Sequence, residues 1–453
     1  MTLRSADARA AAREKGRALR RKAPRSSHAK WLPAMRRADP IATLLATSVN
    51  RLPHLVALRY GRMSRSPFAW MRGSAALMAS DLSATPVTGL RVQACGDCHV
   101  GNFGAFASPE RRVLFDLTDF DETLPGPWEY DLKRLAASLM LVARYQGCAR
   151  REAHDVTLAA ARAYRQNMRK YGALSPLEIW YAIIDSELLI RTAPDAATRR
   201  RRERFERKAR ARTGDRLLGR LLVERGGRLR FREQPPTIVH LPRNGALERQ
   251  FRKVLERYPE SLARDRRQLL WHYRFAEIAF KVVGVGSVGT RCAVALYLSE
   301  SGDPLVLQVK EAVPSVLAPY AGASRFAHEG ERVVVGQRLM QCASDIFLGW
   351  ARDDDGRHYY VRQLRDMKTS VPLEALKGPV LHNFADMCGW ALARAHAKAG
   401  NAARISGYLG SSERMDEAIA DFAERYADQC ERDYEIFKRA IRAGSIPVEL
   451  ERA

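Results

Sequence analysis

The chain has 453 residues, a formal net charge of +25 and an apolar fraction of 46%. This length holds two or three domains or one large two-lobed enzyme, and the apolar fraction excludes wholesale disorder. No apolar stretch approaches ~18 residues, which predicts no membrane span, and 30 Gly and 21 Pro are too few for a collagen-like chain. With seven scattered cysteines and no visible secretory signal, we expect a cytoplasmic protein.

The first segment, residues 1–37, carries 12 Lys/Arg against 2 acids. No apolar stripe repeats along it, so we predict a disordered or loosely helical basic tail. Residues 38–190 follow as a compact block. Within it, periodicity predicts helices from Pro67 to Leu82 and, strongly amphipathic, from Asp131 to Tyr145, and strands from Leu90 to Ala94 and Arg112 to Thr118.

Residues 191–235 form a second basic segment, in which residues 191–233 hold 16 Arg/Lys against 6 acids. We predict a solvated basic helix from Arg199 to Arg212 and a hairpin from Leu221 to Arg232, with Gly226-Gly227 at its turn. The two basic segments carry +20 of the net charge. They permit nucleic-acid binding, which we do not favour because the chain has no RNA-binding or helix-turn-helix signature.

Residues 236–372 are predicted to form a small antiparallel β lobe and residues 373–453 a helical remainder. The strands run from Phe275 to Val283, Cys292 to Leu298, Leu305 to Val309 and Tyr359 to Leu364. Three helices are predicted, from Arg325 to Cys342, Leu381 to Ala399 and Met415 to Arg442.

Residues 284–289 read Gly-Val-Gly-Ser-Val-Gly and lie between two of these strands. In a dinucleotide-binding fold such glycines lead into a helix, whereas here a β-rich run follows. A strand, a Gly loop and a strand are typical of the flap that covers ATP phosphates in kinase-like folds. We therefore predict that Gly284, Gly286, Ser287 and Gly289 contact a nucleotide; the alternative is an ordinary Gly-rich hairpin.

Lys310 ends the next apolar strand, where its side chain would reach the phosphates. A kinase lysine also needs an acidic partner on the following helix. Glu331 and Glu329 lie 21 and 19 residues on, with Glu311 a third candidate. The sequence does not choose between them.

Residues 95–102 read Cys-Gly-Asp-Cys-His-Val-Gly-Asn. The Cys-x-x-Cys-His pattern is also the attachment site of haem, but haem attachment requires export, and no export signal is visible. A zinc site needs four ligands, and the sequence has no second pair of closely spaced Cys or His residues. Asp97 and Asn102 instead have the spacing of a hydroxyl-orienting Asp and a magnesium-binding Asn in a phosphotransferase loop.

An acidic cluster lies in and directly after the strand that begins at Arg112, and it comprises Asp116, Asp119, Asp121 and Glu122. On a strand, Asp119 and Asp121 would share one face. Two carboxylates at the end of a strand favour a bound cation, and magnesium with nucleotide phosphates would supply it. The alternative is a solvated acidic turn.

These segments resemble the catalytic elements of aminoglycoside and choline kinases. The run from Asp97 to Asn102 is similar to their His-Gly-Asp-x-His-x-x-Asn loop, with Cys95 in place of the first His. The step from Thr118 to Asp121 is similar to their metal-binding segment. Asp131-Leu132 resembles their structural Asp-Leu-Ala.

More closely, the chain from about Arg62 to Arg442 resembles the bacterial domain of unknown function family 2252. The similarity lies in RMSRSPFAWMRG, CGDCHVGNFGAFASPER, DFDETLPGPWEYDLKRLAASL, VGVGSVGTRC, QVKEA, GQRLMQCASDIFLGW and LARAHAKAG. Together the resemblances imply an α+β, two-lobed protein-kinase-like fold. Since the candidate catalytic loop precedes the Gly loop by some 190 residues, that fold would be circularly permuted.

The function expected from these residues is Mg²⁺- and ATP-dependent phosphoryl transfer to a small-molecule hydroxyl acceptor. Asp97 would orient the acceptor, Asn102, Asp119 and Asp121 would hold magnesium, and Lys310 would grip phosphates. Arg72 would clamp a phosphate or the acceptor, or be a helix-surface arginine. Nucleotidyl transfer, a nucleotide-binding pseudokinase and a non-catalytic nucleic-acid-binding protein are the alternatives. The oligomeric state is not readable from the sequence.

Overall fold

The structure is a computed structural model that describes residues 3–33, 37–210, 218–219, 221–364 and 371–451, without the side chains of residues 3–6 and 373. The prediction of an α+β protein is confirmed, because helices and antiparallel sheets both contribute to it. No helix within the described ranges is long and apolar enough to cross a membrane.

The helices lie before, between and after the strands. In chain order they are α1 (Leu3–Ala18), α2 (Pro40–Ala46), α3 (Pro53–Met63), α4 (Pro67–Gly73), α5 (Ala75–Ser83), α6 (Trp128–Tyr145), α7 (Arg150–Tyr171), α8 (Pro176–Tyr181), α9 (Ser186–Arg191), α10 (Ala196–Arg210), α11 (Ala246–Arg257), α12 (Arg264–Leu270), α13 (Ala318–Ala321), α14 (Glu329–Met340), α15 (Pro379–Ala399), α16 (Ala402–Leu409) and α17 (Arg414–Arg442).

The strands pair antiparallel throughout the described sheets. They are β1 (Arg91–Ala94), β2 (Phe103–Ala107), β3 (Val113–Leu117), β4 (Leu124–Pro127), β5 (Leu222–Arg225), β6 (Arg228–Phe231), β7 (Ile238–His240), β8 (Tyr273–Lys281), β9 (Cys292–Ser299), β10 (Pro304–Ala312), β11 (Gly349–Arg352) and β12 (His358–Gln363). Three two-stranded sheets pair β1 with β4, β2 with β3 and β5 with β6.

The large sheet has the strand order β11-β12-β10-β9-β8-β7. Its central strand β9 is almost wholly buried, because the hairpin β5–β6 covers one face while α11 packs on the other. The turn between β9 and β10 contains Gly302, whose φ of +87° is open to glycine at little cost. The predicted strands and the Gly226-Gly227 hairpin are thus confirmed.

The helical part of the molecule is built around α6, which packs against α4, α7 and α17. Sixteen of its residues, Trp128 to Ala143, are buried. The sequence predicts an amphipathic helix that begins at Asp131, but other helices and β1 and β4 surround α6 on all sides. Four charged side chains therefore lie in the interior, and each requires a partner there.

The predicted helix from Pro67 to Leu82 is interrupted at Ser74, where α4 gives way to α5. The carbonyl of Gly73, which would otherwise continue the helix, accepts a hydrogen bond of 2.7 Å from the buried guanidinium of Arg59. This interruption places Arg72 at the end of α4.

The described part of residues 1–37 contains a helix, one of the two predicted alternatives, but this helix packs on the rest of the chain. Helix α1 crosses α16 at two glycines, Gly16 and Gly407, whose missing side chains allow the backbones to touch. Arg20 and Arg25 then donate to the C-terminal carbonyls of α16, at 2.6–2.9 Å. Because these contacts are polar or involve glycine, no apolar stripe marks them.

The basic helix predicted from Arg199 to Arg212 is observed as α10 up to Arg210; residues 211–212 lie outside the described residues. Phe205 and Ala209 pack on the hairpin β2–β3. Arg200, Arg204, Arg207 and Lys208 lie on the opposite, exposed face.

Candidate functional site

A cleft of about 830 Å³ lies between the Gly-rich loop of the large sheet and the loop that follows β1. Nine of the eleven residues proposed from the sequence line it, namely Arg72, Asp97, Asn102, Asp119, Asp121, Gly284, Gly286, Ser287 and Lys310. Gly289 and Glu331 do not. The candidate residues come from segments as far apart as residues 72 and 310, so only the folded chain brings them to one place.

The loop from Cys95 to Asn102 is held from below by the buried carboxylate of Asp131, on α6. That carboxylate accepts hydrogen bonds from the backbone N–H groups of Cys95, at 2.6 Å, and Gly96, at 3.0 Å. The ring of His396 lies 3.1 Å from the same carboxylate. Gly96 has a φ of +85° and a side chain there would strike the carbonyl of Glu122, so the turn requires glycine.

Asp97 projects from this loop into the cleft, where its side chain is 20% exposed. Its carboxylate is paired with Arg134 of α6, whose Nε donates to Oδ1 at 2.6 Å. Burial favours the neutral acid, but the charges of Arg134 and Arg72 and the hydrogen bond from Arg134 outweigh it and hold the pKa of Asp97 below its usual value. Asp97 is therefore an anion at neutral pH.

His99 and Asn102 support the same loop. Burial lowers the pKa of His99 to about 3, so its ring is neutral at physiological pH. Nδ1 accepts a bond of 3.1 Å from the N–H of Gly101, which leaves the proton on Nε2, 3.8 Å from Asp97 Oδ2. Asn102 donates from its amide nitrogen to the carbonyl of Asp97 at 2.7 Å, which leaves its amide oxygen for a ligand.

The acidic cluster divides into residues with different surroundings. Asp116 is fully buried and pairs with Arg394 at 2.8 Å, so it belongs to the core. Glu122 accepts from the N–H of Val316 at 2.7 Å, and burial raises its pKa to about 7. Asp119 and Asp121 line the cleft.

Asp121 forms the centre of a polar cluster beneath the Gly-rich loop. Its carboxylate forms an ion pair with Lys310 and accepts from Tyr360 Oη at 2.7 Å and Ser287 Oγ at 3.1 Å. Burial alone would lower the pKa of Lys310, but the charge of Asp121 and other groups raise it well above its usual value. Lys310 therefore stays protonated and its charge is balanced by a carboxylate.

The partner of Lys310 is thus Asp121, which was not among the partners considered from the sequence. Glu331 lies in the first turn of α14, outside the lining of the cleft. Glu329 pairs with Arg332, and Glu311 pairs with Arg291 at 3.2 Å. Glu329 reaches the acidic turn only indirectly, because the guanidinium of its partner Arg332 donates to the carbonyls of Asp121 and Thr123.

The Gly-rich loop is clamped over Asp97 by arginines of the helical part. Arg51 donates to the carbonyl of Gly286 at 2.8 Å. A Cβ atom at Gly286 would lie 3.3 Å from the carbonyl oxygen of Arg72 and 4.0 Å from Asp97 Oδ2. Gly289 has a different role, because it does not line the cleft. Its φ of +88° and its contact with Arg51 determine the shape of the loop.

Arg72 lies beside this loop, and its Nε is buried without a hydrogen-bond partner. Its Nη2 would be 3.5 Å from a Cβ at Gly284. Burial lowers its pKa, an effect that Asp97 and Asp119 partly offset. These surroundings favour a cleft residue over the helix-surface alternative.

Sequence reasoning missed Arg134, Arg51 and Arg362, which also lie at or beside the cleft. Arg134 is three residues after Asp131, so both lie on one face of α6, and this spacing could have indicated it. Nothing in the local sequence distinguishes Arg51 or Arg362 from the other arginines of this arginine-rich chain.

The cysteines of the Cys-x-x-Cys-His pattern are buried and, like the five others, form no disulfide. Cys95 donates from its thiol to the carbonyl of Asp119 at 3.1 Å, which ties the two loops of the cleft together. Over the part of the chain that the structure describes, no group of three or more His, Cys, Asp or Glu is placed to hold a metal ion.

Comparison with known proteins identifies the family and no more. No curated protein and no solved structure matches the chain. A family model described as an uncharacterized protein conserved in bacteria (DUF2252) matches residues 51–440, which include every residue of the cleft named above. The chain therefore belongs to the DUF2252 family.

Proposed function

We propose that the protein is a phosphotransferase that moves the γ-phosphoryl group of ATP to a hydroxyl of a small-molecule acceptor. The observation that carries this proposal is the meeting, in one cleft, of the Asp97–Asn102 loop, the Asp121–Lys310 pair and Gly286. Phosphoryl transfer needs little covalent chemistry from a protein and depends on positioning and charge neutralisation. These residue types supply both.

Asp97 orients the acceptor hydroxyl and accepts its proton as the phosphoryl group departs. Its lowered pKa keeps the carboxylate ionised, and Arg134 and the Asp131-anchored backbone fix its position. The loop around Gly286 excludes water above Asp97 and lets the backbone approach the phosphates, as a side chain would not. Lys310 supports Asp121 and contributes positive charge beside the phosphates.

The oxygen donors of Asp119, Asp121 and Asn102 fit magnesium. A nucleotide-bound magnesium ion needs only one or two protein carboxylates, because phosphates and water complete its shell. The lack of a group of three acidic or histidine ligands in the described residues is therefore compatible with such a site. Bound there, Mg²⁺ would neutralise phosphate charge.

The proposal includes a circularly permuted kinase-like arrangement. Strand β8, the Gly-rich loop, strand β9 and the Lys310 strand β10 follow one another in an antiparallel sheet. The Asp97 loop and the acidic turn come before this unit in the chain instead of after it. Contacts such as Ser287 with Asp121 support an arrangement in which the two parts work as one site.

Thermal unfolding with ATP tests this proposal, with and without Mg²⁺, for the wild type, Asp119→Ala and Asp97→Asn. A ligand at 100 times its dissociation constant stabilises a protein by about 2.7 kcal/mol. We expect a magnesium-dependent stabilisation in the wild type that Asp119→Ala reduces and Asp97→Asn retains. No magnesium-dependent shift in the wild type would refute the proposal.

Turnover separates an enzyme from a nucleotide-binding scaffold. Incubation with γ-labelled ATP and a panel of small alcohols, sugars and amino alcohols should give ADP and a labelled acceptor, and Asp97→Asn should abolish both. AMP and pyrophosphate as products would instead indicate nucleotidyl transfer. Binding without any turnover would indicate a pseudokinase.

A second candidate is binding of polyanions without catalysis, and α10 is the observation that favours it. In the described residues, the exposed basic side chains on its outer face form no ion pair, and they are Arg200, Arg204, Arg207 and Lys208. Such a face would bind phosphate backbones in a salt-dependent manner.

A further inference from the structure

The cleft contains a further cation, Arg362, on the same face of the sheet as Lys310. In the register of β10 and β12, Lys310 is opposite Tyr360 and Gln308 is opposite Arg362. Side chains two residues apart on a strand share a face. All three of Gln308, Lys310 and Arg362 line the cleft.

The guanidinium of Arg362 is held in one orientation by its neighbours. Its Nε donates to Gln308 Oε1 at 3.0 Å, and its central carbon lies 5.7 Å from the centre of the Tyr360 ring. Gln308 is itself buried and donates from Nε2 to Cys292 Sγ at 3.4 Å. The arginine is therefore positioned by side chains that are themselves fixed.

The two cations differ in how their charge is balanced. Lys310 forms an ion pair with Asp121, whereas Arg362 has no ion pair with any described residue. The bond to Gln308 uses only Nε, and the two terminal nitrogens have no protein partner in the described part of the chain. Burial lowers the pKa of Arg362, but Tyr360 and the carboxylates of Asp119 and Asp121 raise it above its usual value by electrostatic interaction, without a hydrogen bond to it.

We propose that Arg362, oriented by Gln308, is an oxyanion-binding residue of the cleft that takes a phosphate group of the ligand. A guanidinium offers two parallel N–H donors to a phosphate, and a partly buried one without a counterion gains most from such a partner. The assignment deepens the proposed function, on which it rests for the identity of the phosphate as that of a nucleotide. It gives Arg362, and not the neutralised Lys310, the main contact to the anion.

Titration calorimetry on the full chain with inorganic tripolyphosphate, ATP and adenosine tests the assignment. We expect Arg362→Ala to weaken tripolyphosphate and ATP binding roughly 10- to 100-fold, the range for a lost hydrogen-bonded charge, and to leave adenosine binding unchanged. Arg362→Lys should recover part of the loss, and Gln308→Ala should show a smaller weakening than Arg362→Ala. The matched control is Arg291→Ala, at the residue directly before β9, which pairs with Glu311 outside the cleft lining.

Several outcomes would overturn the assignment. Arg362→Ala could weaken adenosine and ATP binding equally, or leave tripolyphosphate binding unchanged. Arg291→Ala could weaken tripolyphosphate binding as much as Arg362→Ala does. The wild type could bind neither tripolyphosphate nor ATP. If Arg362→Ala unfolds, Arg362→Gln with a wild-type melting temperature provides the same comparison. Polyphosphate binding that depends on Arg362, without turnover of ATP, would support the assignment of Arg362 and refute the phosphotransferase activity. Turnover of ATP with unchanged polyphosphate binding in Arg362→Ala would support the phosphotransferase activity and refute the assignment of Arg362.

Discussion

Alanine substitutions at two glycines of the same loop should have opposite consequences. Gly286 faces Asp97 across the cleft and has no positive φ, whereas Gly289 has a φ of +88° and lies against Arg51, outside the cleft. We expect Gly286→Ala to impair nucleotide binding without loss of stability. Gly289→Ala should destabilise the protein.

The magnitudes follow from the surroundings of each new methyl group. At Gly289, the left-handed backbone costs an alanine about 1–2 kcal/mol, and its Cβ would lie 3.0 Å from Arg51 Cβ. We expect a loss of roughly 2 kcal/mol or more in the free energy of unfolding. At Gly286, restriction of the unfolded chain stabilises by about 0.4–1 kcal/mol, which a 3.3 Å contact with the Arg72 carbonyl offsets.

Urea unfolding measures the free energy of unfolding, and calorimetric titration with Mg-ATP measures affinity. We expect Gly286→Ala to unfold within about 0.5 kcal/mol of the wild type and to bind ATP roughly tenfold more weakly, because the methyl group occupies space beside the phosphates. Wild-type ATP affinity in Gly286→Ala would refute the reasoning about the cleft. A loss below about 0.5 kcal/mol in Gly289→Ala would refute the reasoning about the backbone.

Three further predictions test the surroundings of the site. Burial raises the pKa of Glu122 to about 7, so the folded state binds this proton more tightly than the unfolded state. As the pH rises from about 4.5 through 7, the wild type should lose about 3 kcal/mol of stability relative to Glu122→Gln in urea unfolding. Equal dependence of the two free energies of unfolding on pH would contradict this. Asp131→Asn should lower the free energy of unfolding by about 2–4 kcal/mol, because the Asp97 loop loses two charge-assisted hydrogen bonds, and should lower kcat more than it raises the KM for ATP. The control Ser138→Ala removes the hydroxyl that accepts from Val100 N–H at 2.9 Å and should lower the free energy of unfolding by about 1 kcal/mol. Equal losses in the two variants would refute the anchoring role of Asp131. Charge reversal of Arg200, Arg204 and Arg207 on α10 should reduce salt-dependent binding of arbitrary DNA in fluorescence anisotropy and leave ATP binding unchanged. The control is the same charge change at Lys15, Arg21 and Lys22 in the N-terminal segment. An equal effect of the control on DNA binding would exclude a specific role for α10.

Much of the architecture could be predicted because short-range patterns carry it. Strand β9 is an uninterrupted apolar run, the Gly226-Gly227 step has the positive φ values of a tight hairpin, and α17 repeats its apolar residues at helical spacing. The loop from Cys95 to Asn102 and the Gly-rich loop were also recognisable, since their chemistry resides in neighbouring residues. The packing of the N-terminal segment was not predicted, because neighbouring residues give no signal for it: its contacts with α16 are glycine crossings and arginine caps.

The sequence alone therefore determined the elements, the family resemblance and the set of chemically capable residues. Only the tertiary structure decided which of them meet. Asp116 and Asp121 lie five residues apart, yet one is neutralised by Arg394 in the core and the other by Lys310 in the cleft. The acidic partner of Lys310 comes from a segment 189 residues away instead of from the next helix. The physical reason is that periodicity and propensity describe interactions within a few residues, whereas charge balance in a buried site depends on groups that only the packing of the whole chain brings together.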